Sequence, residues 1–319
     1  MQVNKARVIL GVDVSKDWLD VHREGAQGPQ RITNERAAID AVLKGYRGAA
    51  IAVEPTNTYH QLLVERARQL GLVVYLVSGY QIKHYGQALG QRMNTDPIDA
   101  KLIARFLSRE IDDLKPYEPK PPQQALLWTL LKRRGKLVQT RQQVRQSLSG
   151  IKELSKVREQ LLKSYRKALA ALDKKIKALL IALGWQPEVA RLKAIPGVGP
   201  LTALALLVAY RSGTFIHHDP FIASLGLDVR AKESGKFKGQ RKLTKRGDGE
   251  YRRLLYCAAM TACRMAGYFQ DRHQALQARG LAPTAAHVVV ARKIATIAFH
   301  LLRKQVAFDP SELARPAAA

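Results

Sequence analysis

The sequence has few cysteines and no long uncharged run, and both shortages narrow the class of protein. Cys257 and Cys263 are the two cysteines in 319 residues, and their spacing in an apolar helical pattern fits neither a disulfide framework nor a zinc motif. We expect both to be core residues. No apolar run approaches the roughly 18 residues that span a bilayer, and the first residues lack the apolar core of a signal peptide. The sequence therefore predicts a cytoplasmic protein without a membrane segment.

Acidic residues are also scarce, and the consequence is a strongly basic chain. The 53 lysines and arginines stand against 26 aspartates and glutamates, which gives a formal net charge of +27. Hydrophobic residues make up 46% of the sequence, enough for folded cores in a chain long enough for two domains. A charge of this size favours binding to a polyanion, and nucleic acid is the leading expectation.

Two carboxylates stand in or directly after apolar runs near the start of the chain. Asp13 interrupts the run at residues 7–14, and Glu54 ends the run at residues 49–53. A third apolar run, residues 72–77, and the helical patterns between these runs predict an α/β domain. A charge in a buried strand costs free energy unless it is paired or binds a metal, so we expect the Asp13 carboxylate to have a cationic partner or a metal.

Two further carboxylates lie at the predicted start of a helix. Asp96 occupies an N-cap position, Pro97 suits the first turn, and apolar residues follow at helical spacing. Asp96 and Asp99 therefore share one face, at the helix end that favours negative charge. Taken alone, both are explained by capping and by the helix dipole. Together with Asp13 and Glu54, they predict a site for two Mg²⁺ ions, with Mn²⁺ as a substitute, of the kind that cleaves or transfers phosphodiesters.

The composition changes to long charged and leucine-rich segments between residues 119 and 186. Apolar residues keep a four-three spacing between residues 162 and 179, which predicts a coiled coil. The spacing loses phase near residues 155–158, so a helical hairpin and a stutter are both compatible with it. Two core helices of a bundle fit the pattern about as well.

A Pro-Gly-x-Gly turn opens the next segment. Gly197 and Gly199 precede an apolar helix, where exposed N–H groups accommodate a phosphate, as in a helix-hairpin-helix element. An ordinary tight turn explains the glycines nearly as well. Further helical patterns downstream predict a mostly α-helical C-terminal domain.

The most polar stretch lies between residues 229 and 253. Nine lysines and arginines from Lys232 onward can neutralise phosphates, and the glycines among them exclude a long helix. Ser234 is a hydroxyl between a flexible glycine and these cations, although an exposed Ser-Gly pair is more commonly only a turn. The predicted nucleic-acid contacts are Gly197, Gly199, Lys232, Lys236, Lys238, Arg241, Lys242, Lys245, Arg246 and Arg252.

Five motifs occur in a fixed order along the chain: Gly-Val-Asp13-Val-Ser-Lys, Val-Glu54-Pro-Thr-Asn-Thr-Tyr-His, Asn-Thr-Asp96-Pro-Ile-Asp99-Ala, Ile-Pro-Gly-Val-Gly-Pro, and Ser234-Gly-Lys followed by Tyr-Arg-Arg-Leu-Leu. Together they resemble the DEDD transposases of the IS-one-ten (IS110) insertion-sequence family, which includes the Piv and MooV DNA invertases and the bridge-RNA-guided recombinases. The resemblance covers nearly the whole chain. Asn57 and Asn94 depart from it, because they stand where the family commonly has glycine and lysine.

The resemblance implies an RNase H-like, RuvC-like N-terminal domain, a coiled-coil segment and a mostly helical C-terminal transposase domain. It assigns Asp13, Glu54, Asp96 and Asp99 to a metal-binding tetrad and Ser234 to the nucleophile. It further implies donor and target DNA, a bridge RNA, a nucleoid-associated location, and dimers that assemble to tetramers with composite active sites. The predicted segments are residues 1–118 for the DEDD domain, 119–186 for the coiled-coil linker, 187–309 for the transposase domain and 310–319 for a flexible tail.

Two functions of different kinds fit these residues. The first is an RNA-guided DNA recombinase that forms a covalent phosphoserine link to DNA by Mg²⁺-assisted attack of Ser234. The alternative is a Mg²⁺-dependent endonuclease of the Holliday-junction-resolvase type, in which water is the nucleophile and Ser234 is incidental. A non-catalytic nucleic-acid scaffold ranks last, because four converging carboxylates would repel the ligand in the absence of metal.

Overall fold

The structure is a computed structural model, which describes residues 8–56, 58–90, 96–230, 233–234, 237–238, 242–244 and 247–313. Of residues 96–98, 230, 233–234 and 237–238 it describes the backbone alone. The chain divides into two compact units, Met1–Pro119 and Lys120–Ala319. The finer division into four segments stays a prediction.

The first unit is a five-stranded sheet with helices on both faces. Its strands are β1 (Ile9–Val14), β2 (Trp18–Arg23), β3 (Gln30–Thr33), β4 (Ala50–Val53) and β5 (Val73–Leu76). Its helices are α1 (Arg36–Leu43), α2 (His60–Gln69), α3 (Gly79–Ala88) and α4 (Asp96–Glu110). The strand order is β3-β2-β1-β4-β5, with antiparallel pairing from β3 to β1 and parallel pairing from β1 to β5. This order is the topology of an RNase H-like domain, so the predicted α/β fold is confirmed.

Alternation along the strands separates the two faces of this sheet. In β1, Leu10, Val12 and Val14 join a cluster that includes residues of α1 and α2. Ile9 packs instead against the cluster that α3 and α4 contribute to. Because successive strand residues point to opposite faces, Asp13 lies on the same face as Ile9, toward α4.

Gly11 determines how closely α4 approaches the sheet. A Cβ atom at this position would overlap the backbone nitrogen of Ala104 and the carbonyl oxygen of Ala100, both in α4. The missing side chain therefore lets the α4 backbone lie directly against β1. A glycine inside a strand often marks such a close approach.

The second unit is mostly helical. Its helices are α5 (Pro122–Ser147), α6 (Ser155–Ala182), α7 (Gln186–Lys193), α8 (Pro200–Tyr210), α9 (His218–Ser224), α10 (Gly249–Ala262), α11 (Tyr268–Ala278) and α12 (Pro283–Lys304). Its strands are β6 (Val229–Arg230), β7 (Glu233–Ser234), β8 (Phe237–Lys238) and β9 (Lys242–Leu243). Helix α8 is apolar on all sides and buried from Thr202 to Ala209, as expected of a central core helix. The predicted helical character of this region is confirmed.

Helices α5 and α6 form an antiparallel hairpin, one of the alternatives that the sequence left open. Arg134 of α5 forms an ion pair with Asp173 of α6 at 2.5 Å, and Arg158 donates to the Leu148 carbonyl at 3.5 Å. The apolar positions of the predicted seam are all buried or half-buried in α6: residues 162, 165, 169, 172, 176 and 179. Leu127, Trp128 and Leu131 of α5 also enter the core of the second unit, so this helix is part of that unit's fold.

Three expectations need correction. Cys263 is buried as predicted, but Cys257 is exposed, since it lies on the outer side of α10. Helix α12 is, by length and composition, long and apolar enough to cross a membrane, so the expectation that no segment reaches this length is wrong. Half of the most apolar 18-residue stretch of α12 is buried, and buried residues of this helix belong to the core of the second unit, as in a core helix of a folded domain. The predicted flexible tail begins with a 3-10 helix, Pro310–Leu313, and Leu313 packs against the core.

Candidate functional site

Two predicted site residues lie on adjacent parallel strands. Val12 of β1 is in register with Val53 of β4, and the Glu54 amide donates to the Val12 carbonyl at 3.5 Å. Asp13 and Glu54 are therefore neighbours across the two strands, which run about 4.8 Å apart. Ala52 belongs to the cluster on the α4 face, and two-residue alternation directs Glu54 to that face as well.

Helix α4 brings a third predicted residue to the same place. Asp99 directly precedes Ala100, whose carbonyl lies against Gly11 of β1. Asp99 is half-buried near the start of the helix. The position of Asp99 thus follows from the close contact between α4 and β1. This contact is at Gly11, two residues before Asp13 along the strand.

The electrostatics of Glu54 show that these three carboxylates act on one another. Burial raises the pKa of Glu54, and the charges of Asp13 and Asp99 raise it further. Asp13 is held in place by its own strand, since its Oδ1 accepts a hydrogen bond from the Val14 amide at 2.9 Å. Oxygen ligands that repel one another in a half-buried site are a donor set that suits a hard divalent cation such as Mg²⁺ or Mn²⁺.

Gly79 makes room for the Glu54 carboxylate. A Cβ atom at Gly79 would lie 3.2 Å from the Glu54 Cδ and would overlap its Oε1. Gly79 is the first residue of α3, where Ser78 and Gln81 form a capping box. The carboxylate therefore lies at a helix N-terminus, which favours negative charge. Sequence reasoning did not single out Gly79, although a glycine after a capping serine was visible.

Asp20 is a further carboxylate at this face that sequence reasoning missed. It stands directly opposite Asp13 in the antiparallel register of β1 and β2, and it is 5% exposed. Arg31 of β3 binds it with two hydrogen bonds, of 2.8 and 3.0 Å. This ion pair offsets the charge of Asp20 within the sheet.

The fourth predicted ligand is Asp96, at which α4 begins. The predicted helix start is thus confirmed, but the side chain of Asp96 lies outside the described part of the chain. Asn57 and Asn94 also lie outside it. Asp13, Glu54 and Asp99 are the predicted ligands whose side chains the structure brings together.

Ser234 lies on a short strand rather than in an irregular loop. Strands β7 and β8 pair antiparallel, with Ser234 opposite Phe237, and β6 pairs with β9. Lys242 of β9 is exposed. The side chain of Ser234 lies outside the described residues. So do the side chains of six predicted nucleic-acid contacts: Lys232, Lys236, Lys238, Arg241, Lys245 and Arg246.

Arg252 has structural partners. Its Nη1 donates to the Gly247 carbonyl at 2.5 Å, and a Cβ atom at Gly226 would overlap the same nitrogen. The guanidinium therefore fastens the segment that follows β9 onto the turn after α9. This contact gives Arg252 a structural role that was not predicted.

The backbone at position 197 also requires glycine for structural reasons. Its φ of +81° lies in the left-handed region that favours glycine, and a Cβ atom there would overlap the Ala258 carbonyl and lie 2.6 Å from the Ala262 nitrogen, both in α10. Gly199 is the N-cap of α8, and a Cβ atom there would meet nothing within 4 Å. Of the two glycines, Gly199 is the one with space beside it.

Two transposase family models match successive parts of the chain. A model of the IS110-type DEDD transposase domain, described as a transposase, matches residues 10–153. A second model, described as the transposase IS116/IS110/IS902 family, matches residues 189–274. Together they cover most of the chain and include Asp13, Glu54, Asp99 and Ser234.

Two curated proteins are similar to the chain over nearly its whole length. The chain is 26% identical to a pilin gene-inverting protein of Moraxella bovis, and the match covers 95% of this chain and 98% of that protein. It is 25% identical to the pilin gene-inverting protein of Moraxella lacunata over the same shares. Among solved structures, RuvC of Thermus thermophilus aligns with 34% of this chain and 99% of its own at 18% identity, with a TM-score of 0.26. From the two family matches and the full-length relatives, the chain belongs to the IS110-type family of transposases, which are recombinases that act on DNA.

Proposed function

We propose that this chain cuts and rejoins DNA at specific sites, with a divalent cation held by Asp13, Glu54, Asp96 and Asp99 and with the Ser234 hydroxyl as nucleophile. The observation that carries the proposal is the placement of Asp13 and Glu54 on adjacent strands, beside the start of α4, which carries Asp99. Burial, and then the charges of Asp13 and Asp99, raise the pKa of Glu54, as expected of carboxylates placed close together. The full-length relatives are named for the inversion of a pilin gene, a reaction that both breaks and rejoins strands.

The acids would bind the cation through oxygen ligands, which suits Mg²⁺ and Mn²⁺. Such a cation polarises a phosphoryl oxygen and stabilises charge on the entering and leaving oxygens of a phosphodiester. The parallel strands and α4 fix Asp13, Glu54 and Asp99 on rigid elements, which is what a site that must orient a phosphate requires. The positive charge of the chain, +27, would supply most of the affinity for DNA through contacts with phosphates.

The proposed reaction conserves the phosphodiester. The Ser234 Oγ attacks the scissile phosphorus and loses its proton to a base, while the bond from phosphorus to one deoxyribose oxygen breaks and that oxygen takes up a proton. The product is a phosphoserine ester with a free hydroxyl on the cut strand. A hydroxyl of the recombining strand then attacks the phosphoserine, which forms the new phosphodiester and releases the serine.

The reaction is tested with a suicide substrate, a DNA whose nicked strand dissociates after cleavage and so prevents rejoining. We expect the wild type to form a protein–DNA adduct that survives denaturation, and Ser234→Ala to lose the adduct and recombination. Ser224→Ala is the matched control, because the Ser224 hydroxyl donates to the Phe221 carbonyl at 2.7 Å in the end of a helix. Free DNA ends without an adduct in the wild type would instead support the resolvase alternative, which the two transposase matches do not favour.

We further propose that the acids of one protomer act with the serine of another. Asp13→Asn and Ser234→Ala would each be inactive alone. In a mixed assembly, one composite site would combine the intact acids of the second variant with the intact serine of the first. Recovery of adduct on mixing supports composite sites, whereas no recovery, with mixed assemblies shown by differential tagging, contradicts them.

We also propose that a guide RNA directs the reaction. The resemblance to bridge-RNA-guided recombinases implies such an RNA, and the positive charge of the chain is compatible with RNA binding. A guide would read the target by base pairing, while the protein binds backbone and shape. We expect one discrete RNA to co-purify with the protein when it is expressed from its native locus. Recombination by protein treated with ribonuclease, at the rate of the untreated protein, would contradict the guide.

A further inference from the structure

A cluster of one cysteine and two histidines lies in the second unit and contains none of the residues proposed for catalysis. Cys263 follows the end of α10, His273 lies in α11 and His287 lies in α12. One ligand atom from each of the three residues lies within 4.8 Å of the other two. The three residues are 10 and 14 positions apart in the sequence, so packing of these consecutive helices produces the cluster.

The polar atoms of this cluster lack the partners that buried groups ordinarily have. The Nε2 of His273 and the Nδ1 of His287 are buried and without a hydrogen-bond partner among the described residues. Most buried polar atoms in folded proteins have a hydrogen-bond partner, and each buried polar atom without one requires an explanation, such as a bound ion. Cys263 is 8% exposed, which keeps its thiol within the same interior space.

The chemistry of the three side chains fits one class of ion. Thiolate sulfur and imidazole nitrogen are the ligands of Zn²⁺, whereas the hard Mg²⁺ requires oxygen. Imidazole binds a metal through a nitrogen without a proton, and a cysteine binds it as the thiolate, so the Cys263 thiol gives up its proton on binding.

We propose that Cys263, His273 and His287 bind a Zn²⁺ ion that ties α10, α11 and α12 together. A tetrahedral ion places its ligand atoms about 3.5 Å apart, so the side chains need to approach one another by about 1 Å, which small rotations about their side-chain bonds supply. Three protein ligands leave a fourth position for water. Because the ligands come from three helices, the ion binds the folded state and stabilises it.

The alternative is that the cluster is packing alone. The rings of His273 and His287 lie 4.3 Å apart at an interplanar angle of 36°, and Tyr256 meets His287 edge-on at 5.6 Å. Such contacts stabilise a core without any ion. The two interpretations differ in whether sulfur of Cys263 forms a bond to a metal.

Cobalt absorption distinguishes them, because Co²⁺ occupies zinc sites and a thiolate ligand adds a charge-transfer band in the near ultraviolet. We would titrate the full-length, metal-free, reduced protein with Co²⁺ in excess Mg²⁺, which occupies carboxylate sites that contain no sulfur. We expect the band to saturate at about one Co²⁺ per chain and to disappear when Zn²⁺ is added. A wild type without a thiolate band overturns the proposal.

The two cysteines provide a matched pair of variants. Cys257 is exposed on the same helix and outside the cluster, so Cys257→Ser should keep the band and Cys263→Ser should lose it. A band that depends on Cys257 would overturn the assignment.

A thermal measurement keeps the test independent of the cysteines. At a free Zn²⁺ concentration of about 100 times Kd, we expect the wild-type Tm to rise by about 5 to 10 °C. His287→Ala should abolish this rise, while His300→Ala, a change in the same helix outside the cluster, should keep it. The readout is the zinc-induced rise within each variant, so a lower starting Tm does not obscure it. An equal rise in His287→Ala and the wild type would contradict the site.

Discussion

Substitution of Gly11 tests how the fold positions the acids. A Cβ atom at Gly11 would lie 2.8 Å from the Ala104 Cα and would overlap two further backbone atoms of α4. All three atoms belong to helix backbone, so no side-chain rotation relieves the overlap. In Gly11→Ala, α4 must therefore move away from β1 as a body, and Asp99 moves with it.

The size of the effect follows from the overlap. Ordinary contact between carbon atoms begins at about 3.5 Å, so relief requires a displacement of about 1 Å. Overpacking of this kind typically costs about 1 to 3 kcal/mol of unfolding free energy. Misplacement of a reacting group by about 1 Å can reduce a rate by about 100-fold. We therefore expect Gly11→Ala to fold, to bind DNA with little change, and to cleave about 100-fold more slowly in Mg²⁺.

Three measurements check this prediction: urea unfolding, DNA affinity at fixed salt, and the rate of metal-dependent strand cleavage. Gly45→Ala is the control, because a Cβ atom at Gly45 meets nothing within 4 Å. Cleavage by Gly11→Ala at the wild-type rate would refute the idea that close contact between α4 and β1 positions Asp99.

Three further predictions follow from individual contacts. In metal-free protein, Glu54→Gln should be more stable than the wild type at pH 7 and should lose this advantage in acid. The reason is that a carboxyl whose pKa is raised in the folded state reduces the free energy of unfolding as the pH rises. Urea unfolding at several pH values measures the difference, and the opposite trend with pH would contradict the prediction. Gly197→Ala should lower Tm more than Gly150→Ala, since both have positive φ but only Gly197 meets backbone of another helix, and equal losses would contradict that reason. Arg252→Ala should cost about 1 to 3 kcal/mol of unfolding free energy yet leave the salt dependence of DNA binding unchanged. If the slope of log binding constant against log salt concentration became smaller in magnitude by about one, Arg252 would instead be a phosphate contact.

The sequence predicted the strands and acids of the first unit because their signals are local. Apolar runs marked β1, β4 and β5, and the carboxylates that interrupt or end them stood out as costly. Strand β3 escaped prediction, since it lies at the sheet edge, is four residues long, and has three polar residues among the four. Asp20 escaped because its partner Arg31 lies on another strand, so its burial becomes visible only in the register of β2 and β3.

The second unit was harder to predict because its contacts join distant segments. The periodicity of α6 predicted which side of the helix is buried, but it could not distinguish a hairpin from a continuous coiled coil. Arg252 was assigned to DNA since basic residues surround it, whereas its contact with Gly247 depends on a turn in the folded chain. The cluster of Cys263, His273 and His287 has no recognisable spacing, because three separate helices assemble it.

The most direct test of the account is Mn²⁺ binding to the protein in the absence of DNA, followed by electron paramagnetic resonance. If Asp13, Glu54 and Asp99 hold a divalent cation together, Asp99→Asn should weaken Mn²⁺ binding at least about tenfold. Asp113→Asn, at an exposed position beyond α4, should leave the affinity unchanged. Equal Mn²⁺ affinity and stoichiometry in the wild type and Asp99→Asn would contradict a shared metal site at these carboxylates.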